Sequence, residues 1–219
     1  MRRRGAEALT RRALLQTGAG LAAAASVSAG SFPARAAESP VPISAEARKL
    51  LDAMPGKAVL GAPNAVRAVT ELVDFNAPDW RRSASDMRDL LAGAPRLAYA
   101  VVQTPRLDVG SVEAARIALA VLALHAGQFQ DFYLALAATT GPIDGLKAIN
   151  VVRAQGLDHY KVFRAANQPD VTDALNRGVE LSGALRVLDP PAYVIGNGLV
   201  TGYADLARKR ALIAACTTC

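Results

Sequence analysis

The sequence predicts an α/β fold, in which a small mixed sheet is flanked by helices and interrupted by an inserted all-helical segment. Three observations support this prediction. A buried strand, a helix and a second buried strand precede residue 107, residues 111–185 show only helical patterns, and two short strands and a helix end the chain. The 219 residues suffice for one domain of ordinary size and a leader, but not for two full domains.

Residues 1–36 have the pattern of a secretory signal peptide. A basic head precedes a weakly apolar stretch at residues 14–29, and residues 34–36 fit an A-x-A cleavage site. The context of Arg11 and Arg12 resembles a twin-arginine export signal. We therefore expect export to the periplasm or an equivalent compartment, with cleavage near Ala36. An uncleaved anchor is disfavoured because the apolar stretch is short for a bilayer span.

The net positive charge of the chain comes mainly from this leader. The sequence has 25 basic and 19 acidic residues, and the leader holds six arginines and one glutamate. The remaining chain therefore has 19 basic and 18 acidic side chains, which does not indicate a nucleic-acid partner. Membrane contact is expected only through the leader, before its cleavage.

Residues 37–57 predict an extended linker and a short N-terminal helix. Ser44 suits the helix N-cap, Met54 lies near the end of the helical pattern, and Pro55-Gly56 terminates it. Residues 58–107 then predict the first half of the sheet domain.

Two strands and one helix are expected in that first half. A buried strand runs to Phe75, and a helix follows from about Pro78 to Ala92. Pro78 suits a first helical turn, and the negative charge of Asp79 is favoured there by the helix dipole. Residues 96–105 contain a second apolar, partly β-branched run, which predicts a second buried strand.

Residues 108–186 predict the helical insertion. Several helical patterns follow one another there, separated by glycine and proline, as expected for short helices in a compact bundle. Residues 187–219 predict the second half of the sheet domain. Two short strands are joined through Gly196-Asn197-Gly198, a sequence that is typical of a β-hairpin turn. A last helix leads into Cys216-Thr217-Thr218-Cys219.

Three segments carry a resemblance to a known family. Residues 70–82 read TELVDFNAPDWRR, residues 111–136 read SVEAARIALAVLALHAGQFQDFYLAL, and residues 187–202 read VLDPPAYVIGNGLVTG. In this order and spacing they resemble the DsbA-like thiol-disulfide oxidoreductases, exported proteins with a thioredoxin-like fold and a helical insertion. The resemblance covers about residues 58–215. It implies a strand, a Cys-Pro-x-Cys turn and a helix where this chain has residues 70–82.

The resemblance also implies that the usual redox site has lost both sulfurs. Ala77 stands where the family has its nucleophilic cysteine, and Trp80 where it has the resolving cysteine. Pro78 and Asp79 occupy the two central places, and Pro191 matches the family's cis-proline. Disulfide exchange requires a thiolate. The usual activity is therefore not expected from this degenerate active site.

A binding role is the expectation that remains for this site. The candidate binding face comprises Pro78, Asp79, Trp80, Pro190 and Pro191, with an exposed Trp80 as a possible anchor for an exported polypeptide or assembly partner. The alternative is that Trp80 fills the space of the lost disulfide and packs against Pro191.

The C-terminal Cys216 and Cys219 offer two further hypotheses. Cys-x-x-Cys spacing is a moderate redox or metal signal. A helix C-terminus raises thiol pKa values, however, which disfavours catalytic cysteines. The pair therefore either is inert, performs thiol-disulfide exchange as a tail, or holds a soft metal ion such as Cu(I) in a metal-handling protein. No cofactor is predicted.

Overall fold

The computed structural model describes residues 39–62 and 65–216. The predicted leader and Cys219 lie outside the described residues. Within the described range, one six-stranded mixed sheet has the strand order β1-β6-β5-β3-β4-β2. The strands are β1 (Val41–Pro42), β2 (Ala58–Gly61), β3 (Arg67–Val73), β4 (Leu97–Gln103), β5 (Ala192–Ile195) and β6 (Gly198–Thr201).

Helices flank this sheet and fill the segment between β4 and β5. They are α1 (Ala45–Asp52), α2 (Trp80–Gly93), α3 (Val109–Leu124), α4 (Phe129–Ala137), α5 (Gly145–Ala154), α6 (His159–Ala165), α7 (Pro169–Ala184) and α8 (Leu206–Ala215), with a 3-10 turn at Ala126–Gln128. The predicted mixed sheet with a helical insertion is confirmed.

The sheet has two edges that matter for the location of the sites. β3 and β4 are parallel and end together, with Val73 beside Gln103, and the antiparallel β5 begins there, with Ala192 beside Leu72. We call this the site edge. The opposite edge, which we call the hairpin edge, carries the two-residue turn between β5 and β6. Gly196 takes a φ of 57° in that turn, a conformation that glycine adopts without strain.

Two short strands were missed by the sequence prediction. β1 lies in the segment predicted as a linker and pairs antiparallel with β6. β2 pairs antiparallel with β4 at the other side of the sheet. Strands of two and four residues are too short to show a hydrophobic period, and only pairing with a neighbour defines them.

The core lies on both faces of the sheet. One cluster joins α1, the C-terminal part of α7 and the sheet, with Leu51, Leu181 and Val102 among its members. The larger cluster joins the other face to α2, α8 and the inserted helices. Leu181 of α7 and Leu185, directly after it, therefore pack in the cluster on the α1 face of the sheet, so the last helix of the predicted insertion also packs on the sheet.

Residue contacts group the described residues into one compact unit. Among the residues that the structure describes, no helix has the length and apolar character needed to span a bilayer.

Candidate functional site

The loop of residues 74–79 joins β3 to α2 at the site edge, and Asp74 holds its start. The Asp74 carboxylate is buried and accepts hydrogen bonds from the backbone N–H groups of Asn76, Arg106 and Leu107, at 2.8, 2.7 and 2.9 Å. The Ser111 hydroxyl donates a further bond at 2.6 Å. Asp74 therefore organises the turn and the loop after β4, a role that suits an aspartate at the end of a strand.

Asn76 fixes the same loop to the inserted helices. Its Nδ2 donates to the Ile143 carbonyl at 2.8 Å, and its Oδ1 accepts from the Ile143 backbone N–H at 2.7 Å. Nδ2 also lies 3.0 Å from Oδ1 of Asp108, which in turn caps α3 by accepting from the Ser111 N–H. That backbone bond is the main cause of the lowered pKa of Asp108. The insertion therefore determines the shape of the 74–79 loop.

Ala77 and Trp80 lie at the start of α2, where the resemblance places the two cysteines. Both are inaccessible, with 1% and 0% of their surface exposed. Trp80 makes edge-to-face contacts with Phe75 and Tyr133, at centroid distances of 4.8 and 5.5 Å. Its Nε1 donates to the Tyr133 hydroxyl at 2.8 Å. The expectation of an exposed Trp80 anchor is therefore wrong, because α4 supplies an aromatic and polar pocket that encloses the indole.

The remaining predicted binding residues divide between surface and interior. Pro78 is exposed and Asp79 is half-buried, with its carboxylate 2.9 Å from Nη1 of Arg82. The bond between Pro190 and Pro191 is cis, as the resemblance implies. Both prolines are buried, because they lead directly into the fully buried β5. Only Pro78 and Asp79 of the predicted face reach the surface.

A buried acidic residue that was not predicted from the sequence, Glu71, lies beneath this loop. Glu71, in the middle of β3, is fully buried. It accepts hydrogen bonds from the hydroxyls of Ser83, Tyr99 and Tyr133. Burial raises the pKa of Glu71, although the charge of Lys209 and these hydroxyls oppose the shift. The sequence does offer an indication of this buried acid, because Glu71 is a single acidic residue within an apolar strand.

Ser83 connects Glu71 to a buried cation. The Ser83 hydroxyl gives its one proton to Glu71, so the Tyr193 hydroxyl, 2.8 Å away, donates to it. Lys209 of α8 is fully buried and also donates to Ser83, at 3.0 Å. Its Nζ forms a salt bridge with Asp86 at 3.0 Å. Buried charges persist when they are paired and hydrogen-bonded in this way.

Burial and the charge of Glu71 also raise the pKa values of Tyr99 and Tyr133 well above the ordinary value. These phenols therefore stay protonated and act as hydrogen-bond donors to the carboxylate. Together, Glu71, Ser83, Tyr133 and Lys209 form a polar cluster that holds α2, α4 and α8 against the sheet. No sulfur atom is part of these contacts in the described residues.

Four exposed apolar side chains lie on segments that are hydrogen-bonded to the 74–79 loop or to Arg106. Leu107 and Val109 flank Asp108, the residue bonded to Asn76, and Val112 lies one turn further along α3. Leu188 follows Val187, whose carbonyl accepts a bond of 2.5 Å from Arg106. We call these four side chains the apolar rim. They are 50%, 73%, 38% and 72% exposed, for Leu107, Val109, Val112 and Leu188 respectively.

Cys216 lies far from this rim, at the hairpin edge. It lines an apolar cavity of about 370 Å³ together with Ile195, Asn197 and Leu212. Cys216 is disulfide-bonded and half-buried, and Cys219, the only other cysteine of the chain, lies outside the described residues. Among the residues that the structure does describe, no group of three His, Cys, Asp or Glu side chains could hold a metal ion.

The sheet, the helical insertion and the loop before α2 define a thioredoxin-like protein with DsbA-like architecture. No protein-family model and no curated protein matches the chain. Solved structures do match, and these include DsbA-like thiol-disulfide oxidoreductases.

Three of these structures illustrate the likeness. A thioredoxin-like oxidoreductase from Silicibacter pomeroyi DSS-3 is 28% identical, with a TM-score of 0.71 over 76% of this chain and 95% of its own. The thiol-disulfide exchange protein α-DsbA2 from Wolbachia pipientis is 21% identical, with a TM-score of 0.70 over 77% and 91%. A periplasmic thioredoxin-like protein from Salmonella enterica serovar Typhimurium is 19% identical, with a TM-score of 0.68 over 80% and 97%.

Proposed function

We propose that this chain is an exported thioredoxin-like protein that binds a polypeptide partner at the site edge and performs no disulfide exchange there. The observation that carries the proposal is the combination of two sulfur-free positions, Ala77 and Trp80, with the apolar rim on the segments joined to the 74–79 loop. A thiolate is the reacting group in disulfide exchange, and neither alanine nor tryptophan supplies one.

The apolar rim supports binding rather than catalysis. Its four side chains belong to the loop after β4, the start of α3 and the loop before Pro190, and hydrogen bonds of Asp74, Asn76 and Arg106 hold these segments together. A rigid surface loses little conformational entropy when it binds. An exposed group of apolar side chains of this kind marks an interaction surface. Pro78, in the 74–79 loop itself, adds a further exposed apolar side chain.

Binding to an unfolded polypeptide tests the proposal directly. We would titrate the chain without its leader, residues 37–219, into fluorescently labelled, S-carboxymethylated ribonuclease and follow the anisotropy. Leu107→Asp/Leu188→Asp should weaken binding at least about tenfold, because each buried leucine contributes roughly 1.5–3 kcal/mol and 1.4 kcal/mol is a factor of ten.

The control is Val59→Asp/Val179→Asp, which places the same charge at two exposed valines outside the rim. This variant should bind as the wild type does. An absence of binding by the wild type, or an equal loss in both variants, would show that the apolar rim is not the binding surface.

The proposed export rests on the leader pattern, and it agrees with the periplasmic description of the Salmonella protein. Arg11→Lys/Arg12→Lys should abolish export in a bacterial host if the twin-arginine pathway carries the chain. Unchanged export, measured by fractionation of the periplasm, would show that a different pathway is used.

The disulfide of Cys216 favours a second candidate function, thiol-disulfide exchange through Cys216 and Cys219. Exchange by this tail would take place at the hairpin edge, without the rim, Pro78 or the buried acid. The metal-handling alternative requires the same two sulfurs as free thiolates, and Cys216 is oxidised here. Both alternatives therefore depend on the redox state of one pair.

A further inference from the structure

The outward face of α6 presents two aromatic side chains side by side. Tyr160 is 71% exposed and Phe163 is 58% exposed, and their spacing of three residues puts them on one side of the helix. The opposite side of α6, with Val162 and Ala166, is buried in the core. Exposed aromatics of this size, paired on one surface, indicate an interaction site.

Cations border this aromatic pair. Lys161 and Arg164 are exposed on the same helix, and Arg153 is exposed at the end of α5, which packs against α6. Neither Lys161 nor Arg164 has a salt-bridge partner in the part of the chain that the structure describes. The nearby Asp158 carboxylate caps α6 by accepting from the Lys161 backbone N–H at 3.0 Å.

The shape of this surface distinguishes between two kinds of partner. A peptide is usually held in a groove or along a sheet edge, whereas Tyr160 and Phe163 protrude from a single convex helix. A cavity of about 340 Å³ lies beside Lys57 and Leu119, and neither this cavity nor the one at Cys216 is lined by a residue of α6. A membrane surface is flat, accepts aromatic rings at the level of its headgroups, and attracts cations when its lipids are anionic.

We propose that the face formed by Tyr160, Phe163, Lys161 and Arg164 docks the folded chain onto an anionic phospholipid surface. The aromatic rings enter the headgroup region, and the cations contact lipid phosphates. This contact differs from the sequence expectation, in which membrane contact is lost with the leader. It uses α6 of the insertion and none of the residues of the apolar rim, so it does not depend on the proposed polypeptide binding.

Vesicle flotation tests this proposal with the chain of residues 37–219, which lacks the leader as a competing source of membrane affinity. The chain should float with vesicles that contain phosphatidylglycerol and should not float with pure phosphatidylcholine. Tyr160→Ser/Phe163→Ser should lower the bound fraction at least about tenfold, since it removes the apolar contact. Lys161→Gln/Arg164→Gln should lower affinity about fivefold per cation.

Val59→Ser/Val179→Ser is the matched control, because it shortens two exposed apolar side chains elsewhere. This variant should bind vesicles as the wild type does, and circular dichroism should show all variants folded. The proposal is overturned if the wild type binds neither vesicle, binds both equally, or loses binding equally in the control. Binding to polyglutamate but not to anionic vesicles would overturn it in favour of an acidic polypeptide.

Discussion

A thiol-disulfide enzyme has its reactive cysteines and the strand, loop and helix start around them at one site. In this chain the strand, loop and helix start lie at the site edge, and the described cysteine lies at the hairpin edge. The site edge has the strand, the loop, the helix start at Trp80 and the cis bond at Pro191, but it lacks sulfur. The hairpin edge has the disulfide-bonded Cys216. This cysteine follows the C-terminal end of α8, next to the turn at Asn197, and not the N-terminal end of a helix.

The strand, the loop and the helix start at the site edge therefore form a well-packed arrangement that contains no thiol. Glu71, Ser83, Tyr133 and Lys209 still form a satisfied buried cluster under α2, and Trp80 is part of its hydrogen-bond chain. The cluster therefore has a structural task that does not require a thiol. Cys216, at the end of α8, packs instead against the apolar core.

The largest effect is expected from Trp80→Ala. The change removes a fully buried indole and leaves the Tyr133 hydroxyl without its donor. We expect the free energy of unfolding to fall by about 3–5 kcal/mol. Urea denaturation followed by circular dichroism measures this value. Tyr160→Ala is the control, and its expected change is within about 0.5 kcal/mol, as for an exposed side chain. Equal effects in the two variants would contradict the buried role of Trp80.

A smaller loss is expected from Asn76→Ala, which breaks the bonds between the 74–79 loop and Ile143. Leaving those backbone groups unsatisfied should cost about 1–3 kcal/mol. Asn150→Ala is the control, because that exposed side chain only accepts a hydrogen bond from Arg153 of its own helix among the residues that the structure describes. A loss below 0.5 kcal/mol (about the size of a surface substitution) would show that the insertion does not hold the loop.

The pH dependence of stability tests the buried cluster itself. Because burial raises the pKa of Glu71, the folded chain binds this proton more tightly than the unfolded chain does. The resulting stability is complete below the ordinary pKa of 4.5 and is lost as the pH rises through the raised value. Glu71→Gln cannot lose a proton, so its unfolding free energy should decline less over this range. Parallel curves for the two proteins would show that Glu71 is ionised like an exposed glutamate.

The smallest effect is expected at the hairpin edge. A disulfide between Cys216 and Cys219, three residues apart in the sequence, would close only a very short loop, so reduction should change the unfolding free energy by less than about 2 kcal/mol. Trp80 is the only tryptophan, and its fluorescence therefore reports on the site edge alone. The emission should be unchanged on reduction. A shift in the emission would indicate that the two edges are coupled.

The sequence predicted the architecture because its longer elements have clear periods. The parallel strands ending at Val73 and Gln103, the turn at Gly196 and the helical insertion all carry local signals. The site was predicted less well, because the burial of Trp80 depends on Tyr133, more than fifty residues away along the chain. The importance of Glu71 likewise depends on Lys209 from the last helix. Contacts between distant segments have no signature in a local pattern.

The most direct test of the central claim is a thiol-disulfide exchange assay with a reduced, unfolded polypeptide. We would compare buffer, the wild-type chain of residues 37–219 and the variant Cys216→Ala/Cys219→Ala. Without a thiol at the site edge, the wild type should form disulfides in the substrate no faster than buffer does. A faster rate with the wild type, lost in the double variant, would contradict the proposed loss of redox activity and assign it to the C-terminal cysteines.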